Sequence, residues 1–359
     1  MHKISPFKVF LRDKSAVLLI TLIVLTLATM VISSGVLEGE PFSALFNKGF
    51  MSKGNLINVF NNLVLQIVML SGITLVLIGG NIDLSVAAQA SLGTMIFAWL
   101  LDRTPVSWPF AFIICLAVGV IFGLINTFLV NKLKFPSFIA TIGMASVYTG
   151  LCNVMTKGYN IQLAASGFTV LGRTSLFNFL PVTFLFAVAV LVVSQFILSR
   201  TTFGRNVYML GGNPLAARLS GLNADRIRML LFVYSSVFAV VSGLLWTAQL
   251  RVAHPTAIIS FNPNLTVIAA AILGGVSFMG GAGNLGGAFI ALLLLNVIEN
   301  MLTVMGVQPY YNIFAQGLLL AIALIIDYFS AERRRKALLR IGHGGISSHS
   351  SQTTKAAAG

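Results

Sequence analysis

The sequence predicts an all-α polytopic membrane protein with about ten transmembrane helices and both termini on the cytoplasmic side. Three observations carry that expectation. The 359 residues are 57% hydrophobic and only 9% charged, whereas a soluble domain carries roughly 25% charge. Charges this sparse cannot cover a water-exposed surface, and the same figures exclude disorder of the whole chain, which needs low hydrophobicity. Apolar runs of about 20 residues, the length that spans a bilayer core, recur along the chain. The net charge of +14 sits between these runs rather than on one polar face, so it reads as a topology signal and not as a nucleic-acid surface. Two cysteines are too few for a disulfide scaffold.

The candidate spans, in order, are 16–33, 57–78, 84–101, 108–130, 137–156, 181–198, 228–250, 264–279, 285–306 and 312–330. The first follows a basic tail, lacks an A-x-A cleavage pattern and precedes nine more, so an uncleaved anchor is expected. The third, eighth and ninth abut Gly-rich breaks. Pro109, Pro136 and Pro181 stand at or just before helix starts, where a missing N–H costs little. Residues 1–15 form an N-terminal tail, 16–330 the membrane domain with its largest loop at 199–229, and 331–359 a second tail. The end of that tail is rich in Gly, Ser and His and reads as disordered. Cys115 and Cys152 fall inside spans and are read as small packing residues.

Lys and Arg set the orientation. With the N-terminus inside, 17 of the 23 basic residues lie on the cytoplasmic side. They come from the N-tail, the 131–136 loop (Lys132, Lys134), the 199–229 region and the C-tail. The remaining 6, Lys48, Lys53, Arg103, Lys157, Arg173 and Arg251, lie outside. A re-entrant hairpin over 264–306 would leave both tails inside.

The loop from Gly204-Arg205 to Ser220-Gly221 carries the clearest local signals. Asn213 suits an N-cap, Pro214 the first helical position and Gly221 the C′ position. Between them a helix of about two turns places Leu215 and Leu219 on one face, an apolar knob in the cytosol. So short a helix is marginal alone and is expected to dock in a groove on a cytosolic partner. The alternative is a loop that packs on its own spans. Asn223 or Asp225 opens the seventh span.

Three stretches carry a resemblance. Gly204-Arg205, Gly211-Gly212-Asn213, Ala216-Ala217 and Ser220-Gly221 resemble the coupling region of bacterial ABC sugar importer permeases of the ribose, xylose and galactose type, the branched-chain-amino-acid/ribose permease family. Ile82-Asp83-Leu84-Ser85-Val86 resembles that family's Gly-Gly-Ile-Asp-Leu-Ser-Val-Gly-Ser signature, with Asn81, Ala87 and Ala88 departing from it. Leu273-Gly274-Gly275, Gly280-Gly281 and Gly286 resemble its late Gly-rich signature. The resemblance runs from about residue 55 to 330. It implies a multi-pass protein of the bacterial inner membrane, paired with a sibling or a second copy in a dimeric pore. It also implies a cytosolic ATPase that holds ATP and its magnesium, and an extracytoplasmic sugar-binding protein. No cofactor is expected on this chain, since no G-x-x-x-x-G-K-[ST] occurs in it.

Gly281-Ala-Gly283-Asn-Leu-Gly286 satisfies G-x-G-x-x-G, but spans flank it and no acidic residue follows at the dinucleotide-binding distance. Close backbone packing at a helix break is the better reading. His2, His254, His343 and His349 are scattered without metal-ligand spacing, and no carboxylate pair suggests catalysis. Polar stripes inside the spans mark a solute path. Asn296, Glu299, Asn300 and Thr303 share one face of the ninth span; Asn58, Asn62 and Gln66, with Asn61 adjacent, follow the second. The fifth carries Ser146, Thr149 and Asn153. An ionisable residue such as Glu299 inside a span faces a bundle interior or a wet cavity, and the alternative is an interhelical hydrogen-bond network. Asp83 is expected to cap the third span, with substrate contact as the alternative. The resulting expectation is an importer permease for a monosaccharide or similar polyol. Its rival is an ion-coupled secondary transporter, which should carry coupling carboxylates or broken helices at the midplane.

Overall fold

The computed structural model describes residues 14–308 apart from residue 165, and scattered positions between 311 and 328. Most of the predicted N-terminal tail, the whole tail 331–359 and part of the predicted span 312–330 lie outside the described residues. Helix α1 (Lys14–Ser33) is apolar all round, and Ile23, Val24 and Leu27 point outward, as suits a helix solvated by lipid. Three short 3₁₀ turns between residues 36 and 51 lead into α2 (Lys53–Ile78), which is buried without interruption from Leu63 to Ile78. An irregular segment over 79–85 then leads to α3 (Val86–Arg103). Helix α4 (Trp108–Thr127), with Pro109 in its first turn, continues through a π turn, Phe128–Lys132. Helix α5 (Ser137–Thr156) matches its predicted span end to end.

The segment from 157 to 181 holds β1 (Ile161–Gln162), α6 (Gly167–Arg173) and a hairpin of β2 (Ser175–Leu176) with β3 (Leu180–Pro181). A capping box between Ser166 and Thr169 starts α6. Then follow α7 (Val182–Arg200), α8 (Thr202–Gly212), α9 (Pro214–Leu219) and α10 (Ala224–Leu250). Strand β4 (Val252–Ala253) pairs antiparallel with β1. Helices α11 (Ala257–Ser260), α12 (Pro263–Leu273) and α13 (Leu285–Val304) complete the described part. Among the described residues, seven helices are long and apolar enough to cross a membrane: α1, α2, α4, α5, α7, α10 and α13. This is a polytopic membrane protein.

Helices α2 and α10 form the centre. Gly72 meets the backbone of Ser235 and Gly79 meets Leu231, so the two run antiparallel with little side chain between them. Helix α4 lies along α10 in the same way, Gly119 against Val237 and Gly123 against Val233.

Two predicted spans differ from expectation. The span 264–279 is an 11-residue helix, α12, that ends at Gly274. At 1.5 Å per residue it is about 16 Å long, half the ~30 Å core. Apolar composition continues to Met279, but Gly275, Gly280 and Gly281 adopt positive φ, which no helix accommodates. The third span likewise begins as irregular backbone, and its helix starts only at Val86. The two interrupted segments meet. Asn264 accepts from the Ala87 N–H at 3.0 Å and donates to the Leu84 carbonyl at 2.8 Å, which satisfies backbone groups that the missing turns leave open.

Candidate functional site

A cavity of about 540 Å³ opens between α2, the end of α10, α11 and α13, a size within the ~300–1,000 Å³ of small-molecule sites. Six of the predicted path residues line it: Asn58 and Asn62 from α2, and Asn296, Glu299, Asn300 and Thr303 from α13. The helical spacing that put each set on one face also turns the two faces toward each other. Gln66 lies deeper, its side-chain oxygen accepting a 2.5 Å hydrogen bond from Asn296. The interhelical-network reading therefore holds for Gln66 and Asn296 and again for Asn300, which bonds Asn55 across the helix pair, while Asn58 and Asn62 face the cavity.

The remaining predicted residues are placed elsewhere. Ser146, Thr149 and Asn153 do not reach the cavity; each hydrogen-bonds a carbonyl of its own helix, those of Ile142, Ala145 and Thr149. Asp83 is fully buried away from it. Nor does Asp83 cap α3 in the expected way, because Ser85 is the N-cap residue. One Asp83 carboxylate oxygen accepts from the Ser85 N–H at 3.0 Å and the Ser85 hydroxyl at 2.6 Å, and the other accepts from Ser235 at 3.2 Å. It ties the break to α10 near the start of α3.

Sequence reading missed several wall residues. Asn55 continues the α2 stripe by one step but lies ahead of the predicted span 57–78. Trp246, Gln249, His254 and Phe261 come from the end of α10 and the break after it, where no periodic signal exists. Trp246 and Phe261 meet edge to face at 5.8 Å.

On the opposite side of the chain order, the 199–229 loop is mostly helical. Thr201 caps α8 through the Gly204 N–H. Asn213 accepts from the N–H groups of Leu215 and Ala216 at 3.1 and 3.0 Å and so caps α9, with Pro214 as its first residue. Its end is a Schellman turn: Leu222 N–H bonds the Ala217 carbonyl, Gly221 N–H bonds the Arg218 carbonyl, and Gly221 has φ +83. Ala217 is buried under the helix, whereas Leu215 and Leu219 are 68% and 81% exposed. Ala216, Ser220 and Arg205 are exposed beside them. Asn223 caps α10 through the Arg226 N–H, and that helix starts at Ala224, four residues before its predicted span.

Close glycine contacts join this loop and the two breaks to one another. The Gly281 N–H donates to the Ile78 carbonyl at 2.8 Å. A Cβ on Gly280 would stand 2.8 Å from Gly80 Cα, one on Gly211 would overlap the Ile78 carbonyl oxygen, and one on Gly281 would overlap Gly212. The Tyr208 hydroxyl, whose pKa burial raises, donates to the Gly283 carbonyl at 2.6 Å. Gly204 packs on the Leu198 carbonyl, closing the joint between α7 and α8. After the glycines, Asn284 caps α13 through the Gly287 N–H. The G-x-G-x-x-G run is thus a packed helix break.

Comparison with known proteins agrees with this arrangement. A family model described as branched-chain amino acid transport system / permease component matches residues 55–324. The chain is similar to the ribose import permease protein RbsC of Bacillus subtilis (strain 168), 32% identical over 286 residues, covering 79% of this chain and 88% of the relative. It is similar to the L-arabinose transport system permease protein AraH of Escherichia coli (strain K12), 29% identical over 272 residues, 74% of this chain and 79% of the relative. It is similar also to the autoinducer 2 import system permease protein LsrC of Photorhabdus luminescens, 32% identical over 276 residues, 75% and 80%. No solved structure matches the chain. The matched stretch takes in the cavity, both breaks and the capped loop, and the chain belongs to the branched-chain amino acid transport system / permease component family.

Proposed function

We propose that the chain is the translocation subunit of an ATP-binding-cassette importer that moves a monosaccharide or similar polyol across the bacterial inner membrane. The cavity lining carries the solute class. Its wall is rich in carboxamides from α2, α10 and α13, and the described lining holds no Lys or Arg. A carboxamide donates and accepts, as a sugar hydroxyl does. An amino acid, the solute in the family description, would bring a carboxylate for which this lining offers no ammonium or guanidinium. The relatives named for ribose and L-arabinose import point the same way.

Ten crossings, with both termini cytoplasmic, suit the seven long helices, the two interrupted segments 79–103 and 251–273, and 312–330. In this reading the α9 knob seats in a groove on a cytosolic ATPase, which holds the ATP and magnesium. A solute-binding protein delivers from outside, and a second permease subunit completes the pore. Movement of α9 would pass through α8 to the glycine junction, where the end of α2 and the α12–α13 turn share one contact surface.

The test is reconstitution in liposomes with the ATPase and the binding protein, followed by uptake of radiolabelled D-ribose, L-arabinose, D-xylose and L-leucine. ATP-dependent uptake of a sugar without L-leucine is expected. Uptake of L-leucine and of no sugar overturns the reading.

A further inference from the structure

Passage alone does not require what stands at one wall of the cavity. Gln249, in the last turn of α10, is only 7% exposed. Its amide nitrogen donates to the Thr183 hydroxyl at 2.8 Å, which fixes the amide plane. Its buried oxygen has no hydrogen-bond partner in the described protein, yet the residue lines the cavity. Exchanging the two amide atoms would orphan a donor instead, so one polar atom of Gln249 stays open in either orientation. Buried polar groups are nearly always partnered, so an orphaned acceptor in a residue of the cavity wall marks a place where a ligand hydroxyl could complete the bonding.

Asn58, Asn61 and Asn62 line the same cavity from α2, and none of their amides is engaged elsewhere among the described residues. Phe261 adds a ring that is 60% exposed, a flat apolar face of the kind the C–H side of a sugar ring covers. Several free amides, one buried acceptor and an aromatic face form a built site rather than a smooth channel wall.

We propose that this part of the cavity is a solute-binding site of the permease itself, where the Gln249 oxygen and the Asn58, Asn61 and Asn62 amides hydrogen-bond the hydroxyls of one neutral sugar or polyol. The proposal rests on the reading of the cavity as the solute path and adds a resting place within it. A solute handed over from outside is then held by the permease while the cytosolic side is still closed.

The sequence has three tryptophans, and Trp246 borders the cavity. In a Trp99→Phe/Trp108→Phe background, the full-length permease in lipid nanodiscs, without ATPase or binding protein, is titrated with D-ribose, L-arabinose, myo-inositol and L-leucine. Trp246 fluorescence is followed, with equilibrium dialysis of the radiolabelled compounds alongside. A saturable signal with at least one sugar or polyol and none with L-leucine is expected. Gln249→Leu should weaken binding tenfold or more. Should that variant fold poorly, Asn58→Ala/Asn62→Ala, which removes exposed and unbonded amides, should weaken it by a similar factor. Binding unchanged within twofold in the variants overturns the site, as does tighter binding of L-leucine. If the complete importer takes up a sugar but the permease alone binds none by either method, the site is wrong and the transport reading stands. If the complete importer takes up no sugar, the transport reading itself falls.

Discussion

Asn55 and Asn300 exchange two side-chain hydrogen bonds, each 2.8 Å, between α2 and α13. Asn55 also donates to the Phe50 carbonyl at 2.9 Å, so this amide ring pins the helix pair to the turn before α2. Where lipid replaces water, interhelical bonds of this kind contribute about 0.5–2 kcal/mol. Asn300→Leu should lower the unfolding free energy by that amount. Asn55→Leu/Asn300→Leu should cost less than the two single changes added together, because it leaves no orphaned amide. Chemical denaturation in detergent reads both, and strict additivity would show that the amides do not interact.

Leu219→Asp places a charge on the exposed apolar face of α9. Burying that charge in a partner groove costs several kcal/mol, so the ATPase should fail to co-purify while the permease still inserts. Asn213→Ala removes the cap that holds the first turn and should weaken association mildly, by about 1 kcal/mol. Co-purification and transport-linked hydrolysis are the measurements. Parent-like behaviour of Leu219→Asp would mean that the knob docks on nothing.

Neighbouring glycines at the junction should respond very differently. Gly211→Ala drives a methyl group into the Ile78 carbonyl, whereas Gly212→Ala meets only Gly281 Cα at 3.8 Å. The first should reduce folded yield or uncouple hydrolysis from uptake, and the second should match the parent in both. Equal effects would contradict the geometry.

Asp83→Ala should destabilise the fold by about 1–3 kcal/mol, since it orphans the Ser85 N–H and hydroxyl and the Ser235 hydroxyl in a dry interior. Asp83→Asn keeps an acceptor for Ser85 and turns a donor toward Ser235, which can accept. Its melting temperature should stay much closer to the parent. A larger loss in Asn than in Ala would mean that the carboxylate acts through its charge.

Single cysteines at positions 132 and 205, in a background without Cys115 and Cys152, should resist impermeant thiol reagents in intact cells and react in inverted vesicles. A cysteine at 157 should behave oppositely. Ready labelling at 205 from outside would reverse the orientation.

The helices were legible wherever an apolar run ended in charge or proline, as α5 does, because lipid asks only for length and apolarity. The breaks were not. Residues 274–279 remain apolar enough to pass for a span, and only the backbone angles of the glycines end α12. The cavity was half legible. Asn58, Asn296 and Asn300 announce themselves by helical spacing, while Gln249 and Phe261 arrive from a helix end and the segment after it, where no stripe leads to them. Ser146, Thr149 and Asn153 carried the same spacing and merely bond their own helix, so periodicity alone cannot tell a lining from a back-bonded polar face. Asp83 needed the fold, since its role depends on Ser235 far along the chain.

The glycine junction also dates the steps of biosynthesis. The Ile78 carbonyl receives its hydrogen bond from Gly281, so the first break in the chain is closed by a segment that leaves the ribosome long after it. Until then the end of α2 holds an open carbonyl and an unfilled seam. A nascent chain halted before residue 281 can own its early helices and still lack the joint that locks them.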